Sequence, residues 1–420
     1  DLLKGIFKIQ NKYSFKNLNF VNLTWILTEN GVKIQDGHIE SIDIPPSEYL
    51  DIKIPFQTPE PTPNAEYHLL ISFKLSEDLF WAKKDHVVAW DQFEIKFDVA
   101  KRSKLKLDEI DEIYIDELED CYEVKGVNFK VHIGKITGSI EQYSYNNIDL
   151  ITHPLSANLW RALTDNDKGI IDFGNGSSFS SVDMDWKDAN KNRYISKISM
   201  KKVRPQVIII EVESVLFKNE DPLETIYTIY GNGDIIVQNN FTPHKDIVKF
   251  GMQCGIPKQF NNMTWYGRGP HETMLDRKNG AAVGIYSGKI EDLIHPYVRP
   301  QENGNRTDVR WTTFTNKKEE GLFILDIGGS HLSISAWPYT MEDLESASHN
   351  YELPSRNFNT INIDHKQQGV GGDIPALAVL HDEFKLKGKQ TYNYSFLLRG
   401  YSKEMGSINM IIEKGPPSLS

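Results

Sequence analysis

The sequence has few cysteines, no long apolar run and a deficit of positive charge, and each shortage excludes a class of protein. Cys121 and Cys254 are the two cysteines among 420 residues. They are too few for a disulfide scaffold or a thiolate metal site, so both are expected to be buried free thiols. No apolar run reaches the roughly 20 residues that span a bilayer. The formal net charge of −11 argues against nucleic acid or an anionic membrane surface as the main partner.

Helical periodicity is also scarce, whereas the alternating pattern of strands recurs along most of the chain. The candidate helix is one short segment, residues 183–190. Leu69, Ile71 and Phe73 stand at every second position with polar residues between them, which is the period of a half-buried strand. A chain of 420 residues with 39% hydrophobic content can form two or three domains. We therefore predict an all-β fold.

The strand patterns fall into two blocks with a charged segment between them. Residues 1–97 contain short strands punctuated by glycine and proline, which predicts an immunoglobulin-like β-sandwich. Residues 98–120 hold a basic run and then an acidic run, and we predict a charged linker, part of which could pair as an edge strand. Residues 121–411 return to strands, with a hairpin signal (GNGD) at 231–234, and predict a large two-sheet sandwich. Residues 412–420 are predicted to be a tail.

Two stretches, residues 265–277 and 296–311, combine aromatic, charged and amide side chains with several glycines and prolines. One interpretation is a pair of loops held by arginine–carboxylate pairs, because the arginine fork matches a carboxylate. The other is a sugar-contacting surface, on which aromatic rings stack and polar groups bond hydroxyls. The candidates for either role, in these stretches and further along the chain, are His271, Glu272, Glu302, Arg306 and His349.

Both stretches closely resemble the last domain of the β-galactosidases of glycoside hydrolase family 2. That domain carries Trp-Tyr-Gly-x-Gly-Pro-x-Glu ending in Asp-Arg, and then Pro-Tyr-x-x-Pro-Gln-Glu-Asn-Gly-Asn-Arg-Thr-Asp-Val-Arg. Residues 159–169, 341–353 and 369–380 are similar to further segments of that domain, in the same order. Residues 1–97 more loosely resemble the small sandwich that follows the family's catalytic barrel. The resemblance covers residues 1–411 almost continuously and implies that the large sandwich is galactose-mutarotase-like.

The resemblance implies a parent enzyme that cleaves terminal β-galactosides by a retaining mechanism. Such enzymes use two carboxyl groups about 5–5.5 Å apart, which in this family are glutamates on a (β/α)₈ barrel. A barrel needs about 250 residues of alternating strand and helix, and this sequence has no such alternation. We therefore expect no catalytic residue here and place the catalytic pair upstream of Asp1. The chain would supply a pocket wall, a mobile loop and subunit contacts in a homo-oligomer.

The resemblance implies a role in the substrate pocket for three positions. Gly169 matches the family's glycine that opens a mobile loop over the active-site mouth, and Asp172 falls inside that loop. An ordinary glycine-rich surface loop is the alternative. Ala376 stands where the family has a tryptophan on which the sugar or the aglycone stacks. Because this aromatic surface is missing, the substrate is expected to differ from simple lactose.

An acid–base pair within this chain is a second possibility, with Glu272, Glu302 and His349 as its candidates. Anchoring of both glutamates by neighbouring arginines is the simpler expectation. No cofactor is expected, since no serine nucleophile elbow, Walker loop or dinucleotide fingerprint occurs. No metal is expected either. The segment DNDKG at 165–169 has calcium-like spacing, but its twelfth position is Gly176, so an Asx-turn network is the favoured interpretation.

Two further features leave alternatives open. The chain starts with Asp1 and shows no signal-peptide pattern, so we expect it to begin inside a longer protein, and the compartment, cytoplasmic or periplasmic, stays undetermined. The partners expected are a β-galactoside and the upstream barrel. The alternatives are a stand-alone carbohydrate-binding module, a structural scaffold, or the smaller chain of a two-chain enzyme.

Overall fold

The computed structural model describes residues 1–100, 105–168, 182–216, 221–373, 380–415 and 417. Strands dominate these residues, which confirms the all-β prediction. The chain divides into two compact units. The first comprises Asp1–Ser103 with Ala282–Ile285, and the second comprises Lys104–Ala281 with Tyr286–Ser420. None of the helices in the described residues is long and apolar enough to cross a membrane.

The first unit is a small sandwich. Its strands are β1 (Ile6–Gln10), β2 (Val21–Glu29), β3 (Val32–Ile39), β4 (Tyr49–Lys53), β5 (Tyr67–Leu75) and β6 (Val87–Glu94). In the described residues, β3-β2-β5-β6 form one antiparallel sheet and β1-β4 form another. Both sheets face a shared apolar core, as expected for an immunoglobulin-like sandwich.

Alternation of apolar residues builds this core. Leu69, Ile71 and Leu75 of β5 are buried, as their spacing predicts, because successive side chains of a strand point to opposite faces. Trp25 on β2 lies directly opposite Gly37 on β3. A Cβ atom on Gly37 would come within 2.7 Å of the Trp25 ring, so only glycine leaves room for this indole.

The second unit is a large sandwich of two sheets. Its strands are β7 (Tyr114–Glu117), β8 (Cys121–Lys125), β9 (Phe129–Gly134), β10 (Ile140–Tyr145), β11 (Ile148–Asp149), β12 (His153–Asn158), β13 (Tyr194–Arg204), β14 (Val207–Leu216), β15 (Asp221–Tyr230), β16 (Ile235–Phe241), β17 (Lys249–Pro257), β18 (Asn262–Gly269), β19 (Ala282–Lys289), β20 (Arg306–Val309), β21 (Trp311–Thr315), β22 (Glu320–Asp326), β23 (Leu332–Trp337), β24 (Phe358–Gln367) and β25 (Tyr392–Ser402). Over the described residues, sheet one has the order β20-β23-β24-β17-β12-β10-β9-β8-β7, with β11 on β10. Sheet two has the order β13-β14-β15-β16-β25-β22-β21-β18-β19.

The few helices are short. The α-helices are α1 (Ile290–Leu293), α2 (Met341–Ser346) and α3 (Ile408–Lys414). The 3₁₀ helices are Leu2–Lys4, Leu18–Phe20, Leu107–Glu109, Met184–Asp188, Asn350–Glu352, Asp382–Phe384 and Lys403–Met405. The candidate helix at 183–190 is thus the 3₁₀ turn Met184–Asp188, which begins at an Asp183 cap whose carboxylate accepts from the Asp185 N–H.

A buried tyrosine joins the two sheets of the second unit. The Tyr143 hydroxyl on β10 donates to the Gly233 carbonyl at 2.9 Å and accepts from the Gly400 N–H at 2.8 Å. Gly233 lies in the predicted hairpin turn, which connects β15 to β16 and is confirmed. Burial raises the pKa of Tyr143, so the hydroxyl keeps the proton that this bridge needs.

Three segments differ in detail from their sequence patterns. Val127, Phe129, Val131 and Ile133 alternate in the sequence and so predict one strand, but Val127 lies in the turn before β9 and is 70% exposed. Within the charged segment 98–120, β7 (Tyr114–Glu117) pairs with β8 at the edge of sheet one. Helix α3 extends to Lys414, into the predicted tail, because the Ser407 side chain caps its first turn.

Candidate functional site

The five segments whose sequences resemble the last domain of the family meet on one side of the large sandwich. We call their described parts the motif cluster: residues 159–168, 265–277, 296–311, 341–353 and 369–373. Residues 159–168 follow β12 and residues 369–373 follow β24, whereas 265–277 begins in β18, 296–311 contains β20 and 341–353 contains α2. Side-chain hydrogen bonds to backbone groups of a different segment hold their loop portions together.

Arg161 joins the first segment to the last. Its guanidinium group pairs with the Asp167 carboxylate at 2.8 and 3.0 Å, and donates to the Gln368 and Gly369 carbonyls at 2.8 and 2.9 Å. The exposed fractions of the Arg161 and Asp167 side chains are 0% and 2%. A charge buried this deeply is tolerated only when it is paired and hydrogen-bonded, so this arginine is a structural anchor.

Asp276 and Thr273 connect the segment 265–277 to its neighbours. One Asp276 carboxylate oxygen accepts from the Val370 and Gly371 N–H groups at 2.9 and 2.7 Å. The Thr273 hydroxyl accepts from the Thr307 N–H at 2.8 Å. These bonds set the relative positions of three motif segments without any ion pair.

Glu272 and Arg306, two of the predicted site residues, lie near each other but do not form a hydrogen-bonded pair. The Glu272 carboxylate accepts from the Gly304 N–H at 2.8 Å and from the Tyr297 hydroxyl. The Arg306 guanidinium donates to the Leu293 and Pro270 carbonyls at 3.0 and 3.2 Å and also to the carbonyl of residue 304. Its Cζ atom lies 5.2 Å from the centre of the Trp265 ring. Burial lowers the pKa of Arg306 to about 10, an effect that Glu272 opposes.

Glu302 belongs to a fully buried group of charges that the sequence did not indicate. It is 1% exposed, and one carboxylate oxygen accepts from the Gln367 amide at 2.9 Å. Gln367 also donates to Asp364 at 3.3 Å, and Asp364 pairs with Lys249 at 3.1 Å. Burial raises the pKa of Glu302 and raises the pKa of Asp364 to about 7. One lysine therefore faces two carboxyl groups, which favours protonation of one of the two.

The expectation that arginines anchor both glutamates is wrong for these two residues. Tyr297, a backbone amide and Gln367 occupy the places where arginines were expected. The expected pairs do occur elsewhere in the two stretches, between Arg268 and Asp308 at 2.6 Å and between Arg299 and Asp165. Glu302 is fully buried, where an amide costs less to desolvate than a second guanidinium, and the half-buried Glu272 is held by a hydroxyl and a backbone amide instead.

The two candidate histidines lie on the outside of the cluster. His271 is exposed. His349 is also exposed, stacks on Tyr351 with ring centres 5.2 Å apart, and contacts Glu352 at 3.2 Å. Its neighbour Asn350 donates to the Tyr297 carbonyl at 2.6 Å. His349 therefore flanks the Glu272–Tyr297 contact, whereas the buried Glu302 lies below the surface.

The implied pocket residues Gly169, Asp172 and Ala376 lie outside the described residues. The segments that precede the first and the last of them in sequence are described, and Arg161 ties those two segments to each other. In the segment DNDKG, Asp165 pairs with Arg299 and Asp167 pairs with Arg161. Asp167 also accepts from the Thr164 N–H at 3.0 Å, as in an Asx-type turn.

Sequence reasoning missed Lys249, Asp364 and Gln367. The available signal was an acidic residue at position 364 directly after Ile361 and Ile363, in a strand where a buried charge must find a partner. The identity of that partner could not be read, because Lys249 is more than a hundred positions away. Both cysteines are buried and free, as predicted.

The structure defines two all-β units, of which the second carries the motif cluster. The family described as "Beta galactosidase small chain" matches residues 125–398, and "Beta-galactosidase, domain 4" matches residues 7–96. The chain therefore belongs to the β-galactosidase small chain family, and the predicted resemblance is confirmed.

Similar curated proteins carry the same name over most of this chain. The chain is 32% identical over 406 residues to a β-galactosidase of Priestia megaterium and 26% identical over 396 residues to one of Halalkalibacterium halodurans. These alignments cover 95% and 92% of the chain. The chain spans 38% of the length of each of these relatives.

Solved structures with a related arrangement of strands are more distant. A galactose 1-epimerase from Lactobacillus acidophilus covers 69% of the chain and 98% of its own, with a TM-score of 0.39 and 7% identity. A family 38 glycosyl hydrolase protein from Enterococcus faecalis covers 90% of the chain and 39% of its own, with a TM-score of 0.39 and 11% identity. Likeness at this level bears on neither function nor substrate.

Proposed function

We propose that this chain is the C-terminal, non-barrel part of a retaining β-galactosidase of glycoside hydrolase family 2. The observation that carries the proposal is the order of the two family matches, residues 7–96 and then 125–398, in a chain that spans 38% of its relatives. A catalytic barrel on the same protein, or on a partner chain, would supply the two glutamates. The family description "small chain" supports considering the two-chain arrangement.

In this proposal the large sandwich contributes one wall of the galactoside pocket and a loop over its mouth. The support is the construction of the motif cluster. Arg161 and Asp276 hold the segments that lead in sequence toward Gly169 and Ala376. Catalytic sites need their supporting groups fixed to within about 0.5 Å, and buried, hydrogen-bonded anchors provide such precision. Contacts between subunits of a homo-oligomer are a further proposed role.

Independent catalysis by this chain is not part of the proposal. Glu302 is 1% exposed, so a sugar could not reach it without rearrangement of the cluster. Glu272 is already engaged by Tyr297 and by the Gly304 N–H. A retaining pair needs two carboxyl groups that both reach one anomeric carbon, and these two glutamates do not offer that access.

The first test compares the isolated chain with the complete parent protein on nitrophenyl β-galactoside. We expect the parent to hydrolyse it and the isolated chain to be inactive. Adding the separately produced barrel portion to the chain should restore part of the activity if the two associate. Turnover that copurifies with the isolated chain and is lost in Glu272→Gln would overturn the proposed division of labour.

The second test addresses the pocket wall through Ala376. A tryptophan that presents about 40–60 Å² to a sugar contributes about 1–1.5 kcal/mol, or roughly tenfold in affinity. We expect Ala376→Trp in the parent to lower KM for a small β-galactoside several-fold and to weaken use of a bulkier natural galactoside. Ala100→Trp, at an exposed position of the first unit, is the matched control. An unchanged KM on both substrates would remove the pocket-wall role.

A further inference from the structure

A cavity of about 290 Å³ lies in the second unit, on the face of sheet one. Its floor is formed by β12, β17 and β24, and its walls are the turn Met184–Asp188 with the residues after it, and helix α2. The volume corresponds to roughly ten water molecules at about 30 Å³ each, which is near the size of one hexose ring. Its lining includes residues of the motif cluster, namely Leu159, Trp160, Met341, Glu342 and Glu345, but not the candidate site residues predicted from the sequence.

One wall of the cavity is a built polar site. The Glu345 carboxylate accepts from the Trp160 indole N–H at 2.7 Å and pairs with the Lys187 ammonium group at 3.0 Å. The Glu345 side chain is 18% exposed, and Trp160 is 1% exposed. Each carboxylate oxygen has two lone pairs, so Glu345 retains acceptor capacity for a ligand hydroxyl. Its orientation is fixed by groups on two other elements.

Two amides add directional groups on either side. The Asn190 Oδ1 atom is buried and has no hydrogen-bond partner, although Asn190 lines the cavity. A buried acceptor without a donor is destabilising, and a ligand hydroxyl or a water molecule would satisfy it. The Gln253 Nε2 group donates to the Asn362 side-chain Oδ1 atom at 2.8 Å, which fixes the Gln253 side chain on the cavity floor.

Aromatic surface completes the lining. The rings of His153 and Phe358 lie with centres 4.0 Å apart at 42°. Both residues line the cavity. A pyranose has one face of C–H groups and an equator of hydroxyls, so it needs both a ring to pack on and fixed polar groups around it.

The described residues that line the cavity carry equal numbers of positive and negative side chains. The positive ones are Lys187 and Lys191, and the negative ones are Glu342 and Glu345. Lys187 is paired with Glu345, and Lys191 lies 3.5 Å from the Asp188 carboxylate, outside the cavity. With no excess of either sign, the cavity is matched to an uncharged ligand rather than to a phosphate or a metal cation.

We propose that this cavity is a saccharide-binding site that takes a single neutral pyranose ring. Glu345 and Asn190 would accept from ring hydroxyls, and Phe358 would pack against the C–H face. The inference does not rest on the proposed function.

The test is binding of methyl β-D-galactoside, methyl β-D-glucoside and inositol to the isolated chain, measured by saturation-transfer NMR and by titration of backbone amide shifts. We expect at least one methyl pyranoside to bind with millimolar affinity and to shift amides of β12 and α2. Inositol, a ring of similar size that has no ring oxygen, no hydroxymethyl group and no O-methyl group, should bind at least tenfold more weakly. Absence of binding by both pyranosides at 100-fold the concentration of protein, or shifts confined to other regions, would overturn the proposal.

Two variants localise the site. Asn190→Leu removes the unpartnered acceptor and fills space, and should weaken binding at least tenfold. Asn393→Leu, on sheet two at an exposed position, is the matched control and should bind as the unmodified chain does. Unchanged melting temperatures for both variants would confirm that folding is preserved. Equal affinities of Asn190→Leu and the control would contradict the assignment.

Discussion

The two units differ in the kinds of side chain that they bury. The first unit packs an almost purely apolar core around Trp25 and Leu69, and its described buried polar residues are Asn11, His68 and Ser72. The second unit also has a large apolar core, but it buries complete ion pairs as well. These pairs are Arg161–Asp167, Lys249–Asp364 and Arg399–Asp234.

The difference shows what each kind of core is suited to do. Apolar packing stabilises without direction, so it tolerates many arrangements of the loops around it. A buried ion pair is weak evidence for stability but demands a defined geometry, since its partners must replace lost hydration. In the second unit the pairs and their hydrogen bonds join segments far apart in sequence, as Arg161 does with Gln368. We infer that the large sandwich is built to hold loops in place.

The largest effect is expected from breaking a buried pair. Arg161→Met would leave the Asp167 carboxylate buried without its partner, together with two carbonyls that lose their donors. The expected loss is about 3–5 kcal/mol in the free energy of unfolding, measured by urea denaturation. The double variant Arg161→Met/Asp167→Leu should lose less than the sum of the two single variants. Simple additivity would show that the pair is not coupled.

A core truncation in the first unit should come next. Leu69 is 0% exposed, so Leu69→Ala removes buried methyl groups and leaves a cavity, at a cost of about 2–5 kcal/mol. Leu50, which is 45% exposed, provides the matched control as Leu50→Ala, with an expected effect below about 1 kcal/mol. Hydrogen exchange read by mass spectrometry should place the loss in residues 1–100. Equal losses in both variants would contradict the assigned core.

The third prediction concerns how the free energy of unfolding depends on pH through the buried group of Glu302, Asp364 and Lys249. Burial raises the pKa of Asp364 to about 7, above the value of about 3.9 for an unfolded aspartate. As pH rises from about 4 to about 7, the unfolded chain releases this proton before the folded chain does, so the free energy of unfolding falls. Lys249 opposes this shift and Glu302 reinforces it. Asp364→Asn should therefore flatten the decline relative to the unmodified chain.

The exposed carboxylate of Asp382 is the control for that experiment, because its pKa is lowered rather than raised. Lys385 and Lys387 lower the pKa of the exposed Asp382 to about 2. Its small contribution is present above about pH 4 and is lost as pH falls through about 2. Asp382→Asn should thus leave the interval from pH 4 to 7 unchanged. A decline that is as steep in Asp364→Asn as in the unmodified chain would show that other groups cause it.

The smallest effect is expected at an exposed pair of the first unit. Lys83 and Asp78 lie 2.8 Å apart, with side chains 85% and 58% exposed. Solvent screens such a pair, so Lys83→Met should leave the free energy of unfolding unchanged within the error of the measurement. The comparison with Arg161→Met is direct, because both variants remove a cation from a carboxylate. Similar losses would mean that burial does not distinguish the two units as argued.

Much of the fold could be predicted from the sequence because strand patterns are local. The alternation in β5 and the hairpin at 231–234 each depend on a few neighbouring residues, and both are confirmed. Val127 was misassigned because an apolar residue in a turn continues the alternation of the strand that follows it. The motif segments were recognised from their residues, and their likeness to the β-galactosidase family is confirmed.

The sequence by itself determined the class of fold, the two strand blocks and the family, since propensity, periodicity and motif identity are written in consecutive residues. Tertiary structure alone decided the partners of Glu272 and Glu302, the burial of Lys249 beside Asp364, and the cavity beside Glu345. The physical reason is that a charge or a cavity is defined by whatever lies across from it. In a sandwich of long-range strand pairs, those neighbours come from positions a hundred or more residues away, and only folding brings them together.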